Sequence, residues 1–158
     1  LSKALDQTIS WSGLEGMDLA KEVSVKEPYR WNDKLWGTIL KNNKGVNYKV
    51  IVIDYGVKHN ILRSLNSLGC EITVVPASSS AKYILSLKPD GIFLSNGPGD
   101  PAATGVYAVP TILKILEKEI PLMGICLGHQ LLCLALGAKT TKMHLGHRGS
   151  NHPVSRIR

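Results

Sequence analysis

An α/β protein with a mostly parallel sheet and helices on both faces is what this sequence predicts, and three observations predict it. From Lys49 onward, short continuous apolar runs alternate with amphipathic stretches. Runs of that kind suit strands buried on both faces, and their alternation with helices is the mark of βαβ units. Glycine and proline punctuate the joins. Finally, a cysteine flanked by glycines, Gly124-Ile125-Cys126-Leu127-Gly128, separates the last strand-like run from a helix-like one.

Taken in order, residues 1–48 differ in texture from the rest. They hold all 3 tryptophans (Trp11, Trp31, Trp36) and little clear periodicity, and Asn42-Asn43-Lys44-Gly45 reads as a loop or linker. Val50-Ile51-Val52-Ile53 is a fully buried strand, rich in β-branched residues. His59 to Leu68 places Ile61, Leu62, Leu65 and Leu68 on one helical face and is closed by Gly69. Glu71 to Val75 is a second strand, stopped by Pro76; Ser79 to Leu87 is a short helix, and Pro89-Asp90-Gly91 is a turn. Gly91 to Ser95 is the third strand. Pro110 suits the first turn of the following helix, which continues through Ile112, Leu113, Ile115 and Leu116. Leu122 to Ile125 is the fourth strand, and it enters the cysteine turn.

The bulk numbers exclude several classes. A chain of 158 residues has room for one ordinary domain, and 44% hydrophobic with 20% charged residues is the composition of a globular protein with a core. The chain opens on Leu1, as expected of a processed chain or a piece of a longer one. No apolar run is long enough for a membrane span and no signal peptide is evident, so no membrane role is expected. The net charge of +7 comes from 19 scattered basic residues with no interleaved aromatics, which argues against nucleic acid. Cys70, Cys126 and Cys133 form no C-x-x-C pair, as expected of free thiols in a reducing cytoplasm. Cys70 and Cys133 sit among apolar neighbours and read as small core residues.

Cys126 reads differently. Gly-x-Cys-x-Gly between a strand and a helix is the cysteine form of the nucleophile elbow, a turn so sharp that flanking Cβ atoms would crowd it. The sulfur then stands at a helix N-terminus, where free N–H groups and the helix dipole favour negative charge. Asn96-Gly97-Pro98-Gly99-Asp100-Pro101 follows the third strand directly. Ligands of parallel sheets bind beyond the carboxyl ends of the strands, so this loop and the elbow are expected to face one another. Glycine amides there, with the N–H of Leu127 after the nucleophile, are suited to hold an oxyanion. Gln130, four residues after Cys126, shares its helical face and could contact a substrate or satisfy local backbone groups. His129 is close in sequence but is expected to point away from the sulfur. His144, His147 and His152 lack further ligands nearby, so no metal is expected.

These residues resemble the class I glutamine amidotransferases and, among them, the small glutamine-hydrolysing subunits of carbamoyl-phosphate synthetases. The narrower resemblance is carried by Glu15-Gly16-Met17-Asp18-Leu19-Ala20-Lys21-Glu22-Val23, by Asp54-Tyr55-Gly56-Val57-Lys58-His59-Asn60-Ile61-Leu62-Arg63, by Leu94 to Pro101, and by Gly146 to Val154. It implies a flavodoxin-like fold and a Cys-His-Glu triad in which the cysteine forms a glutamyl thioester and releases ammonia. That ammonia would reach a large synthetase subunit, which uses ATP and bicarbonate to make carbamoyl phosphate for arginine and pyrimidine synthesis; no cofactor is implied in this chain. Carried over by motif, Cys126 is the nucleophile, and Gly97, Gly99, Leu127 and Gln130 are substrate-binding or oxyanion positions. The family's later His-Pro-Glu motif has no counterpart, since no His-x-Glu occurs here and His152-Pro153-Val154 matches an earlier family segment. Residues 1–48 are accordingly expected to be the end of an N-terminal domain plus linker, and 49–158 an amidotransferase domain truncated at its C-terminus and inactive alone. Two other expectations stand beside this one: a non-catalytic remnant that only binds a partner, and a different cysteine hydrolase on a flavodoxin-like sheet.

Overall fold

The computed structural model describes residues 2–36, 47–144 and 146. The linker expected at residues 42–45 and the histidines at 147 and 152 lie outside them. Two helices, α1 (Ser2–Ile9) and α2 (Leu19–Val23), and a short strand β1 (Tyr29–Trp31) precede the alternating region. That region runs β2 (Tyr48–Asp54), α3 (His59–Ser67), β3 (Cys70–Pro76), α4 (Ala81–Ser86), β4 (Gly91–Leu94), α5 (Pro101–Leu116), β5 (Leu122–Gly124) and α6 (Leu127–Ala135). Every strand and helix expected after Lys49 is present.

The strands form a 5-stranded sheet in the order β1-β3-β2-β4-β5. β3, β2, β4 and β5 are mutually parallel, with Val52 opposite Val74 and Phe93, and Phe93 opposite Met123. Their order is that of the flavodoxin-like sheet, whose ligand crevice opens where the direction of strand winding reverses. Here that reversal lies between β2 and β4. β1 lies antiparallel to β3, with Arg30 opposite Thr73. Three residues are too few for a periodic signal, so this edge strand was not legible beforehand.

Alternation along the strands sorts the core into two faces. Ile51, Ile53, Ile92 and Leu94 pack against Ile84 of α4, Ala108, Ile112 and Ile115 of α5, and Leu131 of α6. Val52, Ile72, Val74 and Phe93 instead meet Leu62 of α3, with Val25, Tyr29 and Trp31 closing over them. Strands buried on both sides need apolar residues at every position, which is why β2 reads as an unbroken run. The thiol of Cys70 is pushed up by burial, in keeping with a core residue.

One expectation is corrected. α5 starts at Pro101, not near Pro110, because Asp100 caps it: Ala102 N–H donates to Asp100 Oδ1 at 2.8 Å, and proline occupies the first turn. Pro110 lies inside the helix. Pro110 and Val106, whose carbonyl its ring leaves unbonded, are both on the exposed side. The buried side is lined by Thr104, Gly105, Ala108, Ile112 and Ile115. Its first three residues are small and weakly apolar, so periodicity marked only the second half.

Candidate functional site

Asp54 ends β2 and is 2% exposed. Its Oδ1 accepts from the N–H groups of Gly56 (2.9 Å) and Val57 (2.8 Å), and its Oδ2 accepts from Val25 N–H at 2.8 Å. This carboxylate folds the chain back over the end of the sheet. Ser95, fully buried at the end of β4, ties three elements together. Its hydroxyl accepts from Tyr55 N–H (2.8 Å) and donates to the Asn96 carbonyl (2.8 Å), while its carbonyl accepts from Gly128 N–H at 3.0 Å. Asn96 then bridges the two loops: its Oδ1 accepts from Lys58 N–H at 3.0 Å and its Nδ2 donates to the Gly56 carbonyl at 2.9 Å. The floor of the crevice is therefore a hydrogen-bonded lattice, and little of it was visible beforehand.

The elbow sits against this floor. Ile125 N–H donates to the Leu94 carbonyl at 3.1 Å, and a Cβ on Gly128 would lie 2.6 Å from the Leu94 carbonyl carbon. A Cβ on Gly124 would lie 2.6 Å from the backbone of Gly128 itself. Strand and helix cross so closely that both flanking positions require glycine, as the motif predicts. Between them Cys126 has φ 54 and ψ −116, a conformation that a side chain disfavours, and it is exposed. The thiol is thus presented to solvent rather than sealed in the core. Leu127, the first residue of α6, buries its side chain while its N–H lacks an intrahelical partner by position.

Strain of this kind is worth about 1–3 kcal/mol. Cys126→Gly is therefore expected to raise stability in urea by about 1 kcal/mol after glycine's own entropic cost, while Cys126→Ala, which keeps the Cβ, gives no such gain. Equal midpoints for the two variants would show that the turn is not strained.

The expected glycines have an intramolecular role as well. A Cβ on Gly97 would lie 2.8 Å from the Tyr55 carbonyl carbon. Gly99, at φ +99, would place one 2.6 Å from the Met17 carbonyl. That carbonyl belongs to a strap, residues 14–20, laid across the loop. Asp100 N–H donates to Met17 O at 2.9 Å, Gly16 N–H to Asp100 Oδ2 at 2.8 Å, and Thr104 Oγ1 to Asp18 Oδ1 at 2.9 Å. Tyr107 also donates to Asp18 Oδ1, at 3.3 Å. Burial first, then the Asp18 charge and this hydrogen bond, hold the Tyr107 hydroxyl protonated far above the usual range. In the sequence Asp18 and its neighbours stand out only as a resembling segment; a part-buried pairing 86 residues apart leaves no local signal.

A cavity of about 360 Å³ opens between the strap, the start of α5 and residues 140–143, lined by Glu15, Gly99, Asp100, Gln130, Lys142 and neighbours. Gln130 is exposed and its N–H donates to the Cys126 carbonyl at 3.0 Å, so it lies one helical turn beyond Cys126 along α6. The structure thus brings Gly99 and Gln130 to one cavity, whose lining does not include Cys126 or Leu127, while Gly97 lies against Tyr55 on the crevice floor. His129 turns away, its Nε2 3.6 Å from Cys133 Sγ, and His59 packs against Trp31 with tilted rings, centroids 4.9 Å apart. Among the described residues no group of side chains could hold a metal, and no helix is long and apolar enough to cross a membrane.

Fold and site together define the class: a flavodoxin-like α/β protein presenting an exposed cysteine on a strand-to-helix elbow, beside a small cavity at the carboxyl ends of its strands. The family profile described as glutamine amidotransferase class-I matches residues 51–157, and the chain belongs to that family. Among curated relatives, the carbamoyl phosphate synthase small chain of Rhizobium meliloti is 60% identical over 149 residues, covering 92% of this chain and 37% of that protein. The small chain of Zymomonas mobilis is 55% identical over 153 residues, covering 94% of this chain and 40% of its own length. The chain therefore spans well under half the length of these relatives. A solved structure from Thermoplasma acidophilum, described as a GMP synthase subunit, matches with a TM-score of 0.56 at 27% identity, covering 65% of this chain and 51% of that one.

Proposed function

We propose that this chain carries the thiol half of a glutaminase site belonging to a carbamoyl-phosphate synthase small chain. The carrying observation is the exposed, strained Cys126 on its glycine-flanked elbow, one turn from a cavity shared by Gly99 and Gln130. In this reading the Cys126 sulfur attacks the side-chain amide carbon of L-glutamine. A C–S bond forms, the carbonyl oxygen becomes an oxyanion held by the Leu127 N–H and glycine amides of the 97–99 loop, and the C–N bond breaks as protonated nitrogen leaves as ammonia. Water then cleaves the thioester to glutamate. Gln130 contacts the bound amino acid. No cofactor takes part in these steps.

The ammonia is delivered to a large synthetase subunit that consumes ATP and bicarbonate, with neither membrane nor nucleic acid involved. Residues 49–158 form the amidotransferase domain, and residues 1–48 are the end of a preceding domain with its linker. The setting is the cytoplasm, which suits three free cysteines.

The proton traffic is the demanding part. His59 packs against Trp31 and His129 faces Cys133, so neither is placed to serve Cys126. Ammonia release from glutamine by the 158-residue chain alone is expected to be Cys126-dependent and about a hundredfold to ten-thousandfold below that of a thiol served by an acid–base group. A colorimetric ammonia assay on wild type and Cys126→Ala decides it. Release unchanged in Cys126→Ala would overturn the thiol assignment, and a rate equal to that of the curated small chains would overturn the expectation of slow release.

A further inference from the structure

We propose that Asp100 is a positioning residue for the thiol site: it clamps the Gly97–Gly99 loop to the strap at residues 14–20 and so sets where the loop's amides stand. The proposal rests on the thioester reading above. Three hydrogen bonds meet at this one residue. Its backbone N–H donates to Met17 O at 2.9 Å, its Oδ2 accepts from Gly16 N–H at 2.8 Å, and its Oδ1 accepts from Ala102 N–H at 2.8 Å. The first two hold the strap, and the third caps α5. Strap, loop and helix therefore join at Asp100.

The loop between has no slack. Gly99 lies so close to the strap that a Cβ would come within 2.6 Å of Met17 O and 2.9 Å of Leu19 N, while Gly97 is pressed against the Tyr55 carbonyl. Two residues before Gly97, the Ser95 carbonyl accepts from Gly128 N–H at 3.0 Å, which fixes the start of the loop to the elbow. Asp100 fixes its far end. Amides that hold an oxyanion must be in place before the charge develops, because donors that have to reorganise lose most of their effect. Without the Oδ2 bond the strap is released at Gly16, and the loop can shift relative to the elbow. A second anchor, Thr104 Oγ1 to Asp18 Oδ1 at 2.9 Å, ties the strap to α5 beyond the loop. The two anchors can thus be cut separately.

Asp100→Asn cuts the first with least disturbance. One side-chain oxygen remains to cap α5, a role asparagine fills as well as aspartate, while the new amide nitrogen opposes Gly16 N–H. Asp100→Ser, with a single short acceptor, is a second variant of the same kind. The assay is single-turnover acylation of the 158-residue chain by L-γ-glutamyl-p-nitroanilide, followed by absorbance. The Cys126 sulfur attacks the γ-carbonyl carbon and a C–S bond forms; the C–N bond breaks, and p-nitroaniline leaves with the proton the thiol gave up. Iodoacetamide is the comparison, since displacement of iodide by the same sulfur builds no oxyanion. Both Asp100 variants should lower the maximal acylation rate about tenfold to hundredfold, the scale of a misplaced donor, at an unchanged half-saturating concentration. Their iodoacetamide rates should stay within about twofold of wild type, because alkylation needs only an exposed thiol. Thr104→Val, which cuts the other anchor, should acylate within about threefold of wild type, its loop still clamped. A wild-type acylation rate in Asp100→Asn would overturn the clamp and leave the thiol reading intact. So would a loss confined to half-saturation, the mark of direct substrate contact, or an equal loss in Thr104→Val, the mark of general loosening. A wild type that releases no p-nitroaniline, or a release that survives Cys126→Ala, would overturn both.

Discussion

Replacing Gly128 with alanine will collapse the elbow. The new Cβ would lie 2.6 Å from the carbonyl carbon and 2.7 Å from the Cβ of Leu94, a residue with no exposed surface. Leu94 cannot withdraw, because β4 is hydrogen-bonded into the sheet between β2 and β5. Nor can α6 move off cheaply, since Leu127 and Leu131 are sealed in the core. Overpacking a core costs typically 1–3 kcal/mol, and here the obstacle is backbone rather than a side chain that can rotate, so a loss of about 3 kcal/mol or more is expected. Gly137→Ala is the control. That glycine has φ +89 but nothing within 4 Å of its added Cβ, so only local strain, about 1 kcal/mol, is at stake. Urea unfolding of the two variants side by side checks the difference. A Gly128→Ala midpoint at or above that of Gly137→Ala would mean the elbow is looser than the geometry shows.

Asp54→Ala should be about as damaging, for an electrostatic reason. The carboxylate accepts from three backbone amides at 2.8–2.9 Å in a buried position. Hydrogen bonds to a charged group contribute about 1.5–3 kcal/mol each, and buried donors left unpaired add to the loss. Water entering the gap recovers part of it, so a net destabilisation of about 3–5 kcal/mol is expected. Asp54→Asn should cost less, about 2 kcal/mol, because one oxygen can still accept from Gly56 and Val57 while the new amide opposes only Val25 N–H. Thermal melts of both variants test the ordering. Because Asp54 holds residues 55–57 over the crevice, amide exchange in that segment should rise ahead of global unfolding. Equal melting temperatures for Asp54→Ala and wild type would remove Asp54 as the anchor of this end of the sheet.

Much of this molecule could be read from its residues in order. β2 announced itself as an unbroken apolar run, because a central parallel strand is covered on both faces, and β3 as a β-branched stretch stopped by Pro76. α3 was equally plain, its apolar residues recurring at helical spacing toward the second core face. The elbow was legible because its constraint is local: the turn leaves no room for a Cβ on either side of the cysteine. α5 was half legible, since its first turns bury threonine, glycine and alanine, which carry little periodic signal. β1 was missed, being short and stabilised by β3 rather than by its own pattern.

What the sequence determined by itself, then, is whatever short-range sterics and burial dictate: the alternating α/β elements, the sheet's apolar strands and the place of Cys126 in a glycine-flanked turn. What tertiary structure alone decided is the company that turn keeps. The strap at residues 14–20, held by Asp18 and Asp100, brings Glu15 to one cavity with Gln130 and Lys142, and Ser95 pins the elbow to the sheet. Contacts between segments this far apart depend on how the whole chain closes, and a buried carboxylate or hydroxyl looks the same in sequence as one facing water. Periodicity records which face of an element is dry; it does not record which distant backbone amide a polar side chain will find there.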